Sequence, residues 1–270
     1  MNVKHLNPFL LNQTTVLKIG GNVIDNPAAL TRFLTAFSSL GGDKILVHGG
    51  GKIATQIAEK LNVPTTLVEG RRITDKPMLD VVTMVYGGLV NKQIVAHLQA
   101  LGTNAIGLTG ADAGLVRATK RPVAAIDYGF VGDIQEVDSG RLQSFTGQGL
   151  VPVFAPLTLD SSGTLLNTNA DTLAQALAVD LIRHNDVTLV YCFEKKGVLS
   201  NPDDDNSVIS QLTPAIYAQH RAAGSINKGM IPKLDNAFAA LEAGVKRVII
   251  CQADQVSEAL NGEAGTVIQR

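Results

Sequence analysis

Tryptophan is missing from this sequence, and aromatic residues make up only 4% of its 270 residues. The two cysteines are not in a Cys-x-x-Cys pair, so we expect no disulfide framework and a cytoplasmic location. Lys and Arg number 23 against 24 Asp and Glu, and this net charge of −1 disfavours a nucleic-acid-binding protein. No apolar run reaches the ~18 residues of a membrane-spanning helix, and the N-terminus lacks a signal-peptide pattern. We therefore expect no membrane partner.

What the sequence does contain is enough apolar material for a core: 45% of residues are hydrophobic and 17% are charged. Short apolar runs alternate with helical patterns from the start of the chain. Residues 14–19 and 44–47 are predicted strands, and each is followed by glycines and then by a helix, which Asn26-Pro27 begins in the first case. Strand and helix in alternation predict βαβ units, hence an α/β fold with a mainly parallel sheet.

Further along, residues 75–101 are predicted to form one long helix despite Gly87-Gly88 in its interior, which suggests close approach of another backbone, in the core or across a dimer axis. Residues 115–145 alternate like antiparallel strands. Residues 170–181 and 230–243 are predicted helices. A change in composition near residue 185 predicts two lobes, 1–183 and 184–270.

Two glycine-rich segments follow predicted strands. Lys18 precedes Gly20-Gly21, and His48 precedes Gly49-Gly50-Gly51. Glycines at a helix N-terminus let backbone N–H groups approach an anion, and the carboxyl ends of parallel strands are where open sheets bind ligands. The alternative is an ordinary turn with a surface lysine. Neither segment is a Walker loop or a dinucleotide-binding fingerprint, and His48 fits packing and hydrogen bonding better than a role as a base.

Three other segments are weaker signals. Arg71-Arg72 suits carboxylate or phosphate recognition, although adjacent arginines are commonly solvated. Thr168 and Asp171 have the spacing of a capping box, and locally we interpret them as helix caps; holding nearby lysines is the other role open to Asp171. Lys233 follows Pro232 at a predicted helix start, which disfavours a cation unless an anion is bound there.

Together these segments resemble one family. VLKIGGN, ILVHGGGK, GRRITD, GFVGDI, NTNADTLA and GSINKGMIPK follow the order and spacing of the acetylglutamate kinases, members of the amino acid kinase superfamily. The resemblance covers about Thr14 to Ile268. It implies a three-layer sandwich of the carbamate kinase-like fold and transfer of a phosphoryl group from ATP, with Mg²⁺, to the γ-carboxylate of an N-acylated glutamate. It also implies an N-terminal lobe that binds the amino acid and makes a homodimer, and a C-terminal lobe that binds the nucleotide.

The resemblance also implies residue roles. Lys18 and Lys233 would stabilise charge on the transferred phosphoryl group and the nucleotide, and Asp171 would hold both lysines. Backbone N–H groups of four glycines would face the phosphoryl oxygens and the substrate: Gly20, Gly21, Gly49 and Gly50. Arg72 and Asn167 would bind the α-carboxylate of the substrate. Gly197 would belong to the nucleotide loop, although the segment Glu194–Leu199 departs from the pattern of many relatives. No metal-binding side chain is predicted.

Several alternatives stay open. The acyl group is acetyl or succinyl, and a succinyl group would need a further basic residue, for which Arg71 and Lys92 are candidates. The short segment before the first strand, interrupted by Pro8, predicts a dimer without arginine feedback. Rival functions are a sister kinase acting on free glutamate or carbamate, and a non-catalytic regulator that binds an amino acid or nucleotide on the same fold.

Overall fold

The structure is a computed structural model that describes residues 12–68, 70–226 and 230–270. The expectation for the segment around Pro8 and part of the last sequence motif, residues 227–229, lie outside the described residues. The strands are β1 Asn12–Ile19, β2 Asp43–Val47, β3 Leu67–Val68, β4 Arg71–Arg72, β5 Ala105–Leu108, β6 Val116–Lys120, β7 Gly132–Val137, β8 Val151–Phe154, β9 Leu157–Leu159, β10 Leu165–Asn167, β11 Asn185–Phe193, β12 Gln211–Leu212, β13 Arg247–Gln252 and β14 Thr266–Ile268.

The helices lie on both sides of the sheet that most of these strands form. They are α1 Gly21–Ile24, α2 Pro27–Ser39, α3 Gly51–Lys60, α4 Lys76–Val82, α5 Asn91–Ala100, α6 Ser139–Thr146, α7 Ala170–Leu181, α8 Pro214–Ala222, α9 Ile231–Glu242 and α10 Val256–Asn261. Short 3₁₀ segments occur at Asp112–Gly114 and Ala253–Gln255, and a π-helical segment, Thr83–Val90, joins α4 to α5. None of the helices in the described part of the chain is long and apolar enough to cross a membrane.

One eight-stranded sheet forms the middle layer, in the order β12-β14-β13-β11-β1-β2-β8-β5. The pairs from β13 through β5 are parallel, and β14 is antiparallel to β13. The predicted α/β fold with a mainly parallel sheet is therefore confirmed. Strand β1 pairs with β11 from Asn12↔Asn185 to Ile19↔Cys192, so the sheet is continuous across the predicted lobe boundary.

Two buried clusters cover the two faces of this sheet. Leu17 and Ile19 of β1 pack with α2, α4 and α5, whereas Val16 packs with α6, α7 and α9. Because successive side chains of a strand point to opposite faces, residue 18 lies on the Val16 side, with α7 and α9. The strand pattern thus decides which helices can reach Lys18, and the layers are the three that the resemblance implies.

Four other strands form a smaller sheet, in the order β10-β9-β6-β7. Strands β6 and β7 are antiparallel, as predicted. The expectation that the alternation continues through residue 145 is wrong, because residues 139–146 form α6. Asp138 caps this helix by accepting the Arg141 N–H at 2.9 Å, and Leu142 is its buried anchor.

The predicted helix over 75–101 is one continuous helical unit, but its centre is π-helical from Thr83 to Val90. A Cβ atom on Gly87 would meet only side chains, Leu157 Cδ1 at 3.4 Å and Thr109 Cγ2 at 3.7 Å, and one on Gly88 would meet nothing within 4 Å. Close approach of another backbone in the core is therefore not the reason for Gly87-Gly88. Met84 and Leu89 of the same segment are exposed.

Candidate active site

A cluster of three charged side chains lies where β1 ends, with Lys18 and Asp171 buried and Lys233 half-buried. Lys18 is 8% exposed, and its Nζ is 2.7 Å from Oδ1 of Asp171. Lys233, in the first turn of α9, donates from Nζ to Oδ2 of Asp171 at 2.6 Å. The two lysines come from opposite sides of residue 185 and meet at one carboxylate. The pairing leaves the cluster with one positive charge in excess.

Asp171 reaches the lysines because α7 begins next to it. The N-cap is Asn169, whose side-chain oxygen accepts the N–H groups of Asp171 at 2.8 Å and Thr172 at 3.0 Å. The prediction that Thr168 caps this helix is wrong, since its hydroxyl pairs with the Thr158 hydroxyl at 2.8 Å in the small sheet. With the cap supplied by Asn169, the Asp171 carboxylate is not a capping group and pairs with the lysines.

Burial and charge act against each other in this cluster. Burial alone would raise the pKa of Asp171, but Lys18 and Lys233 outweigh it and lower that pKa to about 2. Burial lowers the pKa of Lys18, an effect that Asp171 opposes and Lys233 reinforces. Asp171 is therefore a fixed anion at neutral pH. An arriving anion relieves the repulsion between the two ammonium groups.

The Gly20-Gly21 segment connects β1 to α1. The Gly20 N–H donates to the Cys192 carbonyl at 2.9 Å, which extends the β1–β11 pairing by one residue. This corrects the expectation that Gly20 offers its N–H to a phosphoryl group, because the sheet already uses that donor. Gly21 is the first residue of α1, where N–H groups have no partner within the helix.

The second glycine segment opens α3, a helix of 10 residues. Gly50 precedes the helix with φ +148°, a conformation that side chains rarely adopt, and a Cβ there would lie 3.2 Å from the Tyr86 ring. Glycine is therefore required at this position. The first N–H groups of α3 have no partner within the helix and carry its positive dipole end, as an anion site needs.

His48 contacts the start of this glycine segment through its imidazole ring. The ring is fully buried, its Nδ1 is 2.8 Å from the Gly49 carbonyl, and Asn91 Nδ2 lies 3.1 Å from its Nε2. Asn91 also donates to the Val153 carbonyl at 2.9 Å. Both ring nitrogens are therefore used within the protein, as expected for a packing and hydrogen-bonding histidine rather than a base. Burial lowers the pKa of His48 to about 4, so the ring is neutral at pH 7.

Arg72, at the end of β4, faces the same segment. Its Nη2 donates to the Gly51 carbonyl and to the Thr55 hydroxyl, both at 2.8 Å. The side chain is buried, with 8% of the residue exposed, and no carboxylate within the described ranges pairs with it. A buried guanidinium held only by neutral acceptors is an incomplete arrangement, and a carboxylate completes it.

Backbone pairing joins three of the sequence motifs around Thr74. The Thr74 N–H donates to the Tyr128 carbonyl at 2.9 Å, and the Phe130 N–H donates to the Thr74 carbonyl at 2.6 Å. Asn167 completes the group, because its Nδ2 donates to the Thr74 hydroxyl at 3.0 Å. Asn167 is thus beside the strand that carries Arg72, whereas Thr74 was not singled out from the sequence.

Three other candidates lie elsewhere. A Cβ on Gly197 would be 2.7 Å from the Thr266 hydroxyl and 3.3 Å from Gly265, so the structure packs this glycine against the β14 region. Its nucleotide role stays a prediction. Lys92 Nζ is 3.2 Å from the Gly107 carbonyl, toward β5, and Arg71 is exposed. Neither the Lys92 contact nor the exposure of Arg71 indicates a pocket for an acyl group.

Comparison with known proteins gives the family. The sequence matches the profile of the amino acid kinase family over residues 13–252. The chain belongs to this family. It is 57% identical over 247 residues to a Cytophaga hutchinsonii protein named acetylglutamate kinase, which covers 91% of this chain and 94% of that protein. The sequence-based resemblance to acetylglutamate kinases, and with it the prediction of a kinase, is confirmed.

Solved structures agree on the fold. Protein smu.665 of Streptococcus mutans superposes with a TM-score of 0.78 at 28% identity, covering 95% of this chain and 98% of that one. Carbamate kinase from Giardia lamblia superposes with a TM-score of 0.70 at 15% identity, covering 95% and 98%. The predicted carbamate kinase-like fold is confirmed. At 15% identity, the similarity to the Giardia carbamate kinase supports the fold alone.

Because His48 is buried and neutral, we predict how the free energy of unfolding depends on pH. The unfolded chain takes up a proton near pH 6.5, but the folded one only near pH 4, so stability is lost as the pH falls through this window. The shift corresponds to about 3 kcal/mol. We expect the free energy of unfolding of His48→Gln, measured with urea, to fall less between pH 6.5 and 4 than that of the original protein. The exposed His97→Gln should keep the slope of the original protein; equal slopes for all three would contradict the assignment.

Proposed function

We propose that this chain phosphorylates the γ-carboxylate of an N-acyl-L-glutamate with ATP, forming an acyl phosphate and ADP in arginine biosynthesis. N-acetylglutamate is the proposed substrate, and N-succinylglutamate is the alternative. The observation that carries the proposal is the pair of ammonium groups on Asp171 at the carboxyl end of β1, the strand that leads into the glycine segment of α1. The relative named acetylglutamate kinase supports the choice of substrate.

Such a site suits phosphoryl transfer between two anions. The reaction asks the protein mainly for alignment and for neutralisation of charge on the phosphoryl oxygens. A carboxylate nucleophile is ionised at pH 7, so no general base is needed. This agrees with a His48 ring whose two nitrogens are occupied. Lys18 and Lys233 offset the repulsion between nucleotide and substrate, and Asp171 keeps both ammonium groups in place.

The substrate end of the site is assigned to Arg72 and Asn167. Arg72 is a buried cation with neutral partners, which fits the α-carboxylate of the amino acid. Asn167 lies close by through Thr74 and offers an amide to the same group. We further propose that residues 1–183 bind the acylated amino acid and that residues 184–270 bind the nucleotide, with Gly197 in its loop.

ATP and Mg²⁺ fit the residues present. The excess positive charge of the lysine cluster and the unpartnered helix-terminal N–H groups at Gly21 and Gly51 suit phosphate oxygens. Both oxygens of Asp171 are committed to ammonium groups, so Mg²⁺ fits as an ion carried by the nucleotide phosphates. When bound, Mg²⁺ neutralises phosphate charge and thereby favours transfer.

We also propose a homodimer and a cytoplasmic location. The π-helical segment supports the dimer, because Met84 and Leu89 are 54% and 42% exposed beside Gly88, where a Cβ would meet nothing. An apolar surface around a small residue suits contact with a second copy. The location rests on Cys192 and Cys251, which lie side by side as free thiols with sulfurs 3.9 Å apart.

An assay with three acceptors tests the function. With ATP and Mg²⁺ we expect turnover on N-acetylglutamate, because the 57% identical relative is named acetylglutamate kinase. ADP release would be measured with N-acetylglutamate, N-succinylglutamate and free glutamate. Faster turnover of the succinyl compound would change the acyl assignment. Turnover of free glutamate alone would establish the sister kinase, and turnover of none would support the regulator.

The lysine roles have their own test. We expect Lys18→Met or Lys233→Met to lower kcat about 100-fold or more, since each loses a cation that stabilises the transition state. Lys246→Met is the matched control, because Lys246 pairs with Asp186 on the surface. Circular dichroism would verify that each variant is folded. Wild-type turnover in a folded lysine variant would refute that residue's role.

The proposed dimer predicts a charge-sensitive surface. Leu89→Arg should yield monomers by light scattering, because a buried unpaired cation at an interface is unfavourable. Leu101→Arg is matched in exposure, also 42%, but lies after α5 and should leave the dimer intact. A dimer that survives Leu89→Arg would place the interface elsewhere.

A further inference from the structure

The π-helical segment Thr83–Val90 carries one large buried side chain, Tyr86, which lies beside the proposed substrate-binding residues. A helix of this kind is rare, and such segments are frequently found at functional sites. Within Thr83–Val90, Met84 and Leu89 are exposed, whereas Tyr86 is 6% exposed. The resemblance implies a role for the neighbouring Arg72 but none for Tyr86.

Tyr86 and Arg72 converge on consecutive residues of the second glycine segment. A Cβ on Gly50 would lie 3.2 Å from Cδ1 and 3.3 Å from Cε1 of the Tyr86 ring. Arg72 donates to the carbonyl of the next residue, Gly51, at 2.8 Å. Burial raises the pKa of the Tyr86 hydroxyl, and the Arg72 guanidinium lies near enough to act in the opposite direction. Phenol and guanidinium therefore border the same small volume beside the N-terminus of α3.

The chemistry of the two groups decides the direction of their hydrogen bonds. A guanidinium has only donors, so in a contact with Arg72 the phenol oxygen accepts. The hydrogen bonds of Arg72 go to other residues, and among the described residues none involves the Tyr86 hydroxyl, whose O–H proton is thus left for another acceptor. Two donors and an unneutralised positive charge face one place, which suits an oxygen anion.

We propose that Tyr86 is a further substrate-binding residue that donates its phenolic proton to the carboxylate bound by Arg72. This inference rests on the proposed function, in which that group is the α-carboxylate of the N-acylglutamate. Tyr86 contributes to binding of the amino acid and not to transfer of the phosphoryl group, because the lysines and Asp171 perform the latter. The phenol also increases selectivity for acceptors with a free α-carboxylate.

The test is Tyr86→Phe, which keeps the ring against Gly50 and removes only the hydroxyl. We expect the KM for N-acetylglutamate to rise about tenfold, with kcat and the KM for ATP within about twofold of the original values. Calorimetric titration with N-acetylglutamate should show the same loss of affinity without turnover. An unchanged KM, or a loss in kcat alone, would overturn the inference.

Tyr217→Phe is the matched control, since it removes a hydroxyl that donates to Asp235 at 3.0 Å on the contact between α8 and α9. It should leave the KM for N-acetylglutamate unchanged, and an equal rise in both variants would overturn the inference. Melting temperatures would be compared so that a general loss of folding is recognised.

A substrate analogue identifies the group that Tyr86 touches. In N-acetylisoglutamine an amide replaces the α-carboxylate while the γ-carboxylate stays. We expect Tyr86→Phe to weaken its binding by less than about threefold, because the charge-assisted hydrogen bond is already missing. The same tenfold loss would place Tyr86 at another part of the substrate. If the unmodified protein uses no N-acylglutamate, the proposed function fails, whereas normal turnover with an insensitive variant overturns only this inference.

Discussion

The carboxylate of Asp171 between Lys18 and Lys233 is the interaction on which the rest of the site depends. The two ammonium groups repel each other, and burial by itself disfavours the charged forms of Lys18 and Asp171. One carboxylate resolves both problems only if α7 and α9 start at the end of β1. The alternation along β1 and the Asn169 cap are the local features that bring them there.

A second constraint is the pairing around Thr74, which holds together the segments that carry Arg72 and Asn167. Thr74 is paired through its backbone with Tyr128 and Phe130, and Asn167 pairs in turn with Phe130. A Cβ on Gly129 would lie 2.2 Å from the Thr74 carbonyl oxygen, and its φ is +71°, so only glycine fits between these strands. Motifs far apart in the sequence are thereby held in one register, with no metal or disulfide involved among the described residues.

Much of this could be predicted from residues with strong local signals. Asn26-Pro27, the leucines of α7 and the apolar runs of β1, β2 and β11 match the observed elements closely. Two of the errors arise where a group that could form another hydrogen bond pairs instead with a residue elsewhere in the chain. Thr168 has the spacing of a helix cap, but its hydroxyl pairs with the Thr158 hydroxyl instead. Residues 140–145 have a strand-like pattern, but Asp138 caps a helix there. The Gly20 amide likewise belongs to the sheet because of a strand 170 residues away.

The candidate site was also incomplete in the sequence for a physical reason. Arg72, Asn167 and the lysines stand out through charge and motif, but Tyr86 looks like any core residue of an apolar helix. Its direction depends on the π-helical turn, which a 3.6-residue period does not predict. Asn91 gave a signal that sequence reasoning could have used, since a polar residue inside an apolar stretch is expected to have buried partners.

The unbroken pairing of β1 with β11 limits how this enzyme can move. The boundary between the two proposed lobes passes beside a ladder that runs from Asn12↔Asn185 to Ile19↔Cys192, in the middle of the sheet and not through an exposed linker. Parting the lobes as hinged bodies would break main-chain hydrogen bonds in the interior. The two proposed lobes therefore share one continuous sheet, and any relative motion between them has to bend or twist that sheet.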